Sequence, residues 1–201
     1  MSDASWDTRY GGGGFFYGTA PNDFLATHVA ELDGPVLSLA EGEGRNAVFM
    51  AERGLDVLGV DSSSVGLGKA EQLAVARGVR IRALPADLAD YVPEPGAWGA
   101  VVSVFAHLPS TVRAALYPRV VAALRPGGLL LLEAYAEGQL PRTTGGPKDL
   151  DMLMTVDKLR AELPGLVPVL LHEVDREVRE GQGHTGLASV VQFIGRKPGG
   201  A

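Results

Sequence analysis

Two closely spaced glycines and two aspartates each follow a short apolar segment in the first half of the chain. Gly42 and Gly44 end an apolar run that begins at Val36, Asp61 ends a second run, and Asp87 follows a third. Glycines let a ligand approach the backbone closely, and a carboxylate on the neighbouring strand can accept both hydroxyls of a ribose. The spacing therefore predicts a site for a nucleotide or adenosyl ligand.

Each of these residues also has a purely structural interpretation. The pattern at residues 42–47 (G-x-G-x-x-A) fits a dinucleotide fingerprint, but it also fits a glycine turn without a ligand. Asp61 and Asp87 are suited to cap the helix or turn that follows each strand. Asn46 could bond the backbone of its own helix. Polar groups at the ends of three successive apolar runs favour the ligand site.

The elements that must position these residues alternate along the chain. Five apolar segments indicate buried strands, at residues 36–39, 55–60, 79–84, 100–105 and 129–132. Helices are predicted at residues 45–53, from one of the serines 62–64 to 77, and at 110–124. Apolar strands separated by helices are typical of a parallel sheet covered on both faces. Pro118 is expected to kink or split the last helix.

The C-terminal third has a different pattern. A polar loop follows residue 136, a short helix is predicted at 155–163, and residues 167–179 and 186–196 have the composition of long strands. The six-residue link between these two strands leaves no room for a helix, so they must form an antiparallel pair. Residues 136–201 thus comprise a loop, a helix and a β-hairpin.

The N-terminal segment combines glycines with aromatic residues. Four glycines at 11–14 are bracketed by Trp6, Tyr10 and the aromatic residues 15–17. A glycine run alone is typical of a flexible tail, whereas five surrounding aromatics favour a segment that docks. We expect residues 1–20 to form a lid with the glycine run as its hinge; a disordered tail with hydrophobic tethers is the alternative.

Composition narrows the classes of protein to consider. The chain has 201 residues, no cysteine and a formal net charge of −6. This length suits one domain, 1–201, and the lack of cysteine excludes disulfides, thiolate zinc sites and a cysteine nucleophile. The acidic balance disfavours a nucleic-acid or anionic-membrane partner. No apolar run approaches the ~18 residues of a membrane span, and the first ten residues are too polar for a signal peptide. We expect a soluble, cytoplasmic protein; the sequence leaves its oligomeric state open.

The motifs of the chain resemble those of a known family. They are the glycine loop at 42–46 (Gly-Glu-Gly-Arg-Asn), the acids after the second and third strands, the turn at 124–128 and the terminal hairpin. These features resemble the class I S-adenosylmethionine-dependent methyltransferases. Together with residues 6–10 (Trp-Asp-Thr-Arg-Tyr), the glycine loop is similar to the tellurite-resistance and thiopurine methyltransferase-like group. The resemblance implies a Rossmann-like three-layer α/β sandwich, with a seven-stranded, mostly parallel sheet of order 3-2-1-4-5-7-6 and strand seven antiparallel.

The resemblance also implies a cofactor and a reaction. Residues 35–135 would form the core that binds S-adenosylmethionine, and the methyl group would pass to a small-molecule acceptor, such as a thiol or the chalcogen oxyanions tellurite and selenite. The implied cofactor-binding residues are Trp6, Arg9, Ala40, Gly42, Gly44, Asn46, Asp61, Ser62, Asp87, Leu88 and Phe105. Ser38 and Ala40 stand where many members of the class carry an acid and a glycine. A contact to the cofactor's ammonium group is therefore expected to be missing, and residue 40 is not expected to need a positive φ.

Three residues are candidates for the acceptor side of the pocket. His107 follows the fourth strand, Tyr135 lies just beyond the fifth, and His184 lies in the hairpin link. Strand ends of the same direction share one edge of a sheet, so these side chains converge if strand six is parallel to the first five. A hydroxyl or amine acceptor needs a general base, and either histidine has suitable titration chemistry. The alternative for each is a solvated loop residue. We expect no metal site, because no ligand pair has metal-binding spacing.

Two other functions remain open from the sequence. An NAD-binding reductase would use the same glycine pattern, although the terminal hairpin and the short chain disfavour it. A non-catalytic protein that binds an adenosyl ligand would need the same cofactor site and no acceptor site.

Overall fold

The computed structural model describes residues 3–200. Its strands are β1 Val36–Leu39, β2 Val57–Asp61, β3 Arg82–Pro85, β4 Trp98–Val104, β5 Leu124–Tyr135, β6 Val167–Glu180 and β7 His184–Arg196. Its α-helices are α1 Asp3–Tyr10, α2 Asp23–His28, α3 Arg45–Ala51, α4 Ser64–Ala76, α5 Ser110–Ala123 and α6 Val156–Glu162. Short 3₁₀ turns lie at Val29–Glu31, Glu137–Gln139 and Leu150–Met152.

The seven strands form one sheet in the order β3-β2-β1-β4-β5-β7-β6. Strands β1 to β5 pair in parallel, whereas β7 is antiparallel to both β5 and β6. Strand β6 therefore points in the same direction as β1 to β5. The sheet order and the reversed seventh strand that the resemblance implies are confirmed.

The sheet has an apolar layer on each face, as its continuous apolar strands predict. One layer buries side chains of α5 and α6, including Leu116 and Leu159, against the sheet. The other buries side chains of α2 and α3, including Leu25 and Met50. Burial of a Leu or Met side chain stabilises a fold by roughly 1.5–3 kcal/mol, so these two layers hold the helices against both faces of the sheet.

Several elements differ in extent from the sequence-based prediction. Strand β5 begins at Leu124, so the predicted turn after α5 lies within the strand. The hairpin turn shortens to residues 181–183, because His184 pairs with Glu180 as the first pair of β6 and β7. The predicted split at Pro118 does not occur, since α5 continues through it. Leu116 and Val120 hold both halves of that helix against the sheet.

Residues 3–10 form helix α1, which the sequence analysis did not predict. The remainder of the expected lid segment, up to residue 20, follows it in turns and bends. Met1 and Ser2 of that segment lie outside the described residues.

Candidate functional site

A cavity of about 540 Å³ lies at the carboxyl ends of β1 to β4, beneath the N-terminal segment. This volume is in the usual range for small-molecule sites. The cavity is lined by every predicted cofactor-binding residue except Gly44: Trp6, Arg9, Ala40, Gly42, Asn46, Asp61, Ser62, Asp87, Leu88 and Phe105. It is also lined by two of the three predicted acceptor-side residues, His107 and His184.

Asp61 connects the glycine loop to the start of α4. Its Oδ2 accepts a hydrogen bond from the Gly42 N–H at 2.8 Å, and its Oδ1 accepts one from the Ser63 N–H at 2.8 Å. Asp61 also lines the cavity. The structural and the ligand-binding interpretations of Asp61 are thus compatible.

Gly44 is a packing residue in this structure. A Cβ at this position would lie 2.5 Å from the Cβ of Ala70, and the φ of Gly44 is +92°. The missing side chain therefore lets α3 approach α4 closely, and Gly44 does not face the cavity.

Two non-glycine residues adopt the left-handed conformation where strands meet the cavity. Ala40, after β1, has φ +51°, and Phe105, after β4, has φ +52°. The expectation that residue 40 needs no positive φ is wrong. The chain turns sharply at both strand ends, and a non-glycine residue in this region costs on the order of 1 kcal/mol. Strain of this kind is concentrated at functional sites.

Glu41 is a cavity residue that the sequence analysis missed. Its carboxyl group accepts hydrogen bonds from the Ser38 hydroxyl and, at 2.9 Å, from the Ala47 N–H. Burial raises the pKa of Glu41 to about 7, and the bonds from Ser38 and Ala47 counteract part of that rise. Gly59 leaves room for this arrangement, since a Cβ there would lie 2.9 Å from Cγ of Glu41. A carboxyl group therefore lies beside Ser38, the position where many class I members carry an acid.

Helix α1 docks directly on the glycine loop. The Ser63 hydroxyl donates a hydrogen bond to Oδ1 of Asp7 at 2.6 Å. The buried Tyr10 packs so closely that a Cβ on Gly42 would lie 2.7 Å from its hydroxyl oxygen, and one on Gly66 would lie 2.8 Å from its ring. Two glycines thus make room for one aromatic side chain of the N-terminal segment.

The glycine run is held by a partly buried ion pair. Nζ of Lys69 lies 3.0 Å from Oε1 of Glu43 and donates to the carbonyls of Gly12 at 2.9 Å and Gly14 at 2.6 Å. Oε2 of Glu43 accepts the Phe16 N–H at 2.6 Å. Residues 3–18 therefore form a docked segment rather than a tail with hydrophobic tethers. The signal in the sequence was Glu43 between the two glycines of the loop, a loop that was assigned to the cofactor alone.

The predicted acceptor-side residues lie together as a cluster of rings. The ring centroids of His107 and Tyr135 are 5.3 Å apart, and His184 is 5.3 Å from Tyr135 and 4.6 Å from both Phe105 and Tyr17. Tyr135 is fully buried behind the two histidines and does not line the cavity. Its hydroxyl donates to a loop carbonyl at 3.2 Å.

The two histidines differ in their hydrogen bonds. Nε2 of His107 accepts the Tyr135 N–H at 3.1 Å, so its basic nitrogen is occupied. Burial and the neighbouring His184 lower the pKa of His107 to about 3. A neutral ring whose lone pair is already bonded is a poor general base, and His107 is better described as part of the wall.

His184 faces a buried carboxylate instead. Its Nδ1 lies 3.6 Å from Oε2 of Glu180, and that oxygen accepts from Nη2 of Arg45 at 2.5 Å. Burial opposes ionisation of Glu180, but the proximity of His184 and the charge of Arg45 outweigh it and lower the pKa of Glu180 to about 2. Burial lowers the pKa of His184, and Glu180 counteracts that shift.

A polar network behind the cavity fixes Glu180 and Asn46. Asn22 is fully buried and donates from Nδ2 to Glu133 at 2.7 Å and to Glu180 at 2.8 Å. Its own N–H donates to Oδ1 of Asn46 at 3.0 Å. Asn46 therefore bonds the backbone of a distant segment, which neither of its two sequence-based interpretations included.

Two structural features bear on other classes of site. Across residues 3–200, no group of three or more His, Asp or Glu side chains is placed to hold a metal ion. In the same part of the chain, no helix combines the length and apolar character of a membrane span.

Comparison with known proteins relates part of this chain to methyltransferases. Residues 36–128 match a family model described as a methyltransferase domain. The chain is 25% identical over 120 residues to 2-heptyl-1-hydroxyquinolin-4(1H)-one methyltransferase of Mycobacteroides abscessus, covering 58% of this chain and 53% of that protein. It is 36% identical over 117 residues to ribosomal protein L11 methyltransferase of Thermus thermophilus, covering 58% and 44%. The chain spans about half the length of these curated relatives.

Solved structures share the fold. A protein described by the conversion of a disulfide bond into a thioacetal group during echinomycin biosynthesis matches with a TM-score of 0.79 and 20% identity, over 99% of this chain and 92% of that one. TehB from Haemophilus influenzae matches with a TM-score of 0.69 and 16% identity, over 87% and 61%. At these identities the likeness establishes the fold. The family match over 36–128 supports the class I resemblance.

Proposed function

We propose that the protein is an S-adenosylmethionine-dependent methyltransferase with a small-molecule acceptor. The observation that carries this proposal is the cavity at the carboxyl ends of β1 to β4. It is lined by the glycine loop, Asp61 and Asp87, within the segment that matches the methyltransferase-domain family. Ligands of open α/β sheets bind in this position.

The polar groups around the cavity fit the parts of S-adenosylmethionine. Asp61 would accept the ribose hydroxyls, Asp87 and Leu88 would meet the adenine, and the glycine loop would admit the methionine part. Glu41 supplies a carboxyl group beside Ser38, so the cofactor's ammonium group would have an anionic partner after all. When bound, this cofactor supplies a methyl group on a sulfonium, and the C–S bonding pair passes to sulfur as the acceptor forms its new bond.

The protein's own contribution is alignment and exclusion of water. The strained turns at Ala40 and Phe105 fix the two strand ends that flank the cavity, and the N-terminal segment closes it from above. His184 is only 7% exposed, although it lines the cavity. Such an enclosed site favours a small acceptor over a protein side chain, even though one relative is named for ribosomal protein L11.

The acceptor class and the subgroup are finer parts of this proposal. The motif at residues 6–10 and the structural likeness to TehB favour the tellurite-resistance and thiopurine methyltransferase-like group, with a thiol or chalcogen oxyanion as acceptor. The structural likeness to a protein described by chemistry at a disulfide bond also fits a sulfur acceptor. An NAD-binding reductase is not favoured by any of the relatives. A non-catalytic adenosyl-binding protein remains the second candidate, because the cofactor half of the cavity would serve it equally.

Ligand binding tests the cofactor assignment. We expect S-adenosylhomocysteine to raise the melting temperature and NAD to leave it unchanged. Asp61→Asn should weaken S-adenosylhomocysteine binding by about 2 kcal/mol, because a charge-assisted acceptor is lost. Asp56→Asn is the matched control, since Asp56 pairs with Arg82 at the surface. Tighter binding of NAD than of S-adenosylhomocysteine would overturn the proposal. Methyl transfer to thiols, selenite, tellurite or phenols would separate an enzyme from a binding protein.

A further inference from the structure

We propose that Glu180 and His184 form a dyad that removes a proton from the methyl acceptor, and that the acceptor is a flat molecule with a protonated hydroxyl, such as a phenol. This inference rests on the proposed function and concerns the same cavity. It keeps S-adenosylmethionine-dependent transfer to a small molecule and replaces the thiol or chalcogen oxyanion with a hydroxyl as the acceptor, because an ionised nucleophile would need no base.

The geometry of the dyad sets the tautomer of His184. Nδ1 is buried and faces Oε2 of Glu180 at 3.6 Å, and no other hydrogen-bond partner among residues 3–200 lies closer to it. An ionised carboxylate can only accept, so the ring proton belongs on Nδ1. The lone pair is then on Nε2, on the opposite side of a ring that lines the cavity. This is the nitrogen that a general base needs.

The carboxylate is held in place from three sides. Arg45 of α3 donates to Oε2 at 2.5 Å, Asn22 donates to Oε1 at 2.8 Å, and Nη2 of Arg176 lies 3.4 Å from Oε1. Arg45 and Asn22 come from segments far from Glu180 in the chain, whereas Arg176 lies on β6 with it. Glu180 is therefore a positioning residue that acts through His184.

The ring itself is fixed by aromatic neighbours, which also define the acceptor's shape. Tyr17 and Phe105 lie against His184 with centroid distances of 4.6 Å, and both line the cavity. Flat rings stack favourably on such walls. His107 cannot take the same role, since its Nε2 already accepts the Tyr135 N–H.

Charged and titratable groups on each element packed against His184 influence whether its ring is protonated. The titratable or charged groups around it are Glu180 and Arg176 of β6, Arg45 of α3, Arg9 of α1, Tyr17 of the N-terminal segment, Tyr135 of β5 and His107 after β4. Glu180 favours the imidazolium, and Arg45 and Arg9 oppose it. In the proposed step the acceptor oxygen gains the methyl group and loses its proton to Nε2, and the proton then leaves to water. The ring is neutral before and after each cycle.

The first test needs no substrate. Long-range ¹⁵N NMR of the full chain, with His184 assigned from His184→Gln, should show the neutral Nδ1–H tautomer. Glu180→Gln should shift the ring toward a mixture of tautomers. The matched control is the surface pair His28 and Glu31, whose atoms lie 2.6 Å apart, and Glu31→Gln should leave the His184 signals unchanged. A wild-type ring in the Nε2–H tautomer would overturn the dyad.

The second test measures turnover at pH 7 with 4-methylphenol as the probe acceptor, because its hydroxyl, like that of tyrosine, titrates near pH ~10 and is protonated at this pH. Glu180→Gln and His184→Gln should each lower kcat by about 10²-fold, and the double variant should be no worse than His184→Gln alone. Binding of S-adenosylhomocysteine should remain within twofold in all three. Unchanged kcat in the single variants, or turnover of 4-methylbenzenethiolate but not 4-methylphenol, would overturn the proposal. Failure of the wild type to bind S-adenosylhomocysteine would instead refute the proposed function, with the tautomer result unaffected.

Discussion

The proposed cofactor half of the cavity consists of strand ends, whereas the proposed acceptor half consists of segments that fold over them. Ala40, Asp61 and Asp87 follow β1, β2 and β3, so the sheet alone brings them together. On the other side, Tyr17 and His184 come from the N-terminal segment and the terminal hairpin. The first half depends on backbone geometry that any parallel sheet provides, and the second depends on contacts specific to this chain.

This difference separates the expected effects of substitutions. Changes in the cofactor half should act on S-adenosylhomocysteine affinity. Changes in the acceptor half should act on turnover and leave that affinity intact. The N-terminal segment lies between the two cases, because it covers both halves.

The largest effect is expected at Gly42. Gly42→Val should reduce S-adenosylhomocysteine affinity by more than ~10²-fold, because φ is +61° and the new side chain would meet the Tyr10 hydroxyl at 2.7 Å. The fold should also lose about 1–3 kcal/mol of stability from backbone strain. Calorimetric titration and thermal unfolding measure the two effects.

Gly54 provides a control that separates the effect of backbone strain from that of a steric clash. Gly54 has φ +83°, and a Cβ added there would have no atom within 4 Å, so Gly54→Val should lose stability and keep its affinity. Normal binding by a folded Gly42→Val variant would show that the glycine loop is not the cofactor's entry, and the comparison between the two halves would fail.

The next effect is the pH dependence of the protein's stability, which we expect Glu41 to dominate. Its pKa is raised from 4.5 to about 7 in the folded state, so between these pH values the folded protein holds a proton that the unfolded chain has lost. Stability should therefore fall as pH rises from 4.5 to 7, by about 3 kcal/mol, and the loss should be complete above pH 7. Denaturant unfolding at pH 5 and pH 8 should show this fall in the wild type and little of it in Glu41→Gln.

The same variant tests whether Glu41 binds the cofactor's ammonium group. At pH 8, Glu41→Gln should bind S-adenosylhomocysteine about tenfold more weakly, since a charged acceptor is lost. It should bind 5′-methylthioadenosine, which lacks the amino-acid part, as the wild type does. Equal losses for the two ligands would place Glu41 in the scaffold of the loop rather than in the site.

The smallest effect is expected at Lys69. Lys69→Met removes the donor that holds Gly12 and Gly14 and leaves Glu43 without its cation, so S-adenosylhomocysteine affinity should fall by about 1 kcal/mol. Hydrogen exchange should show lower protection of residues 11–18. Arg77→Met, which removes an exposed ion pair with Glu52, is the control. If protection is unchanged in Lys69→Met, the ion pair does not hold the segment.

The sequence by itself determined the elements whose signals are local. Apolar runs ended by glycine or aspartate predicted β1 and β2 and the site at their ends, because side-chain pattern and backbone preference act within a few residues. The short link between the last two strands also required an antiparallel pair, because it is too short to contain a crossover helix. The order of the strands followed from the family resemblance rather than from the pattern.

Only the tertiary structure decided which residues act together. Glu41 lies beside Ser38 because Gly59, on the neighbouring strand, leaves space for it. Glu180 is ionised beside His184 because Arg45, 135 positions earlier, reaches the same carboxylate. Burial, charge pairing and close packing depend on distances in space, which cannot be read from the separation of residues along the chain.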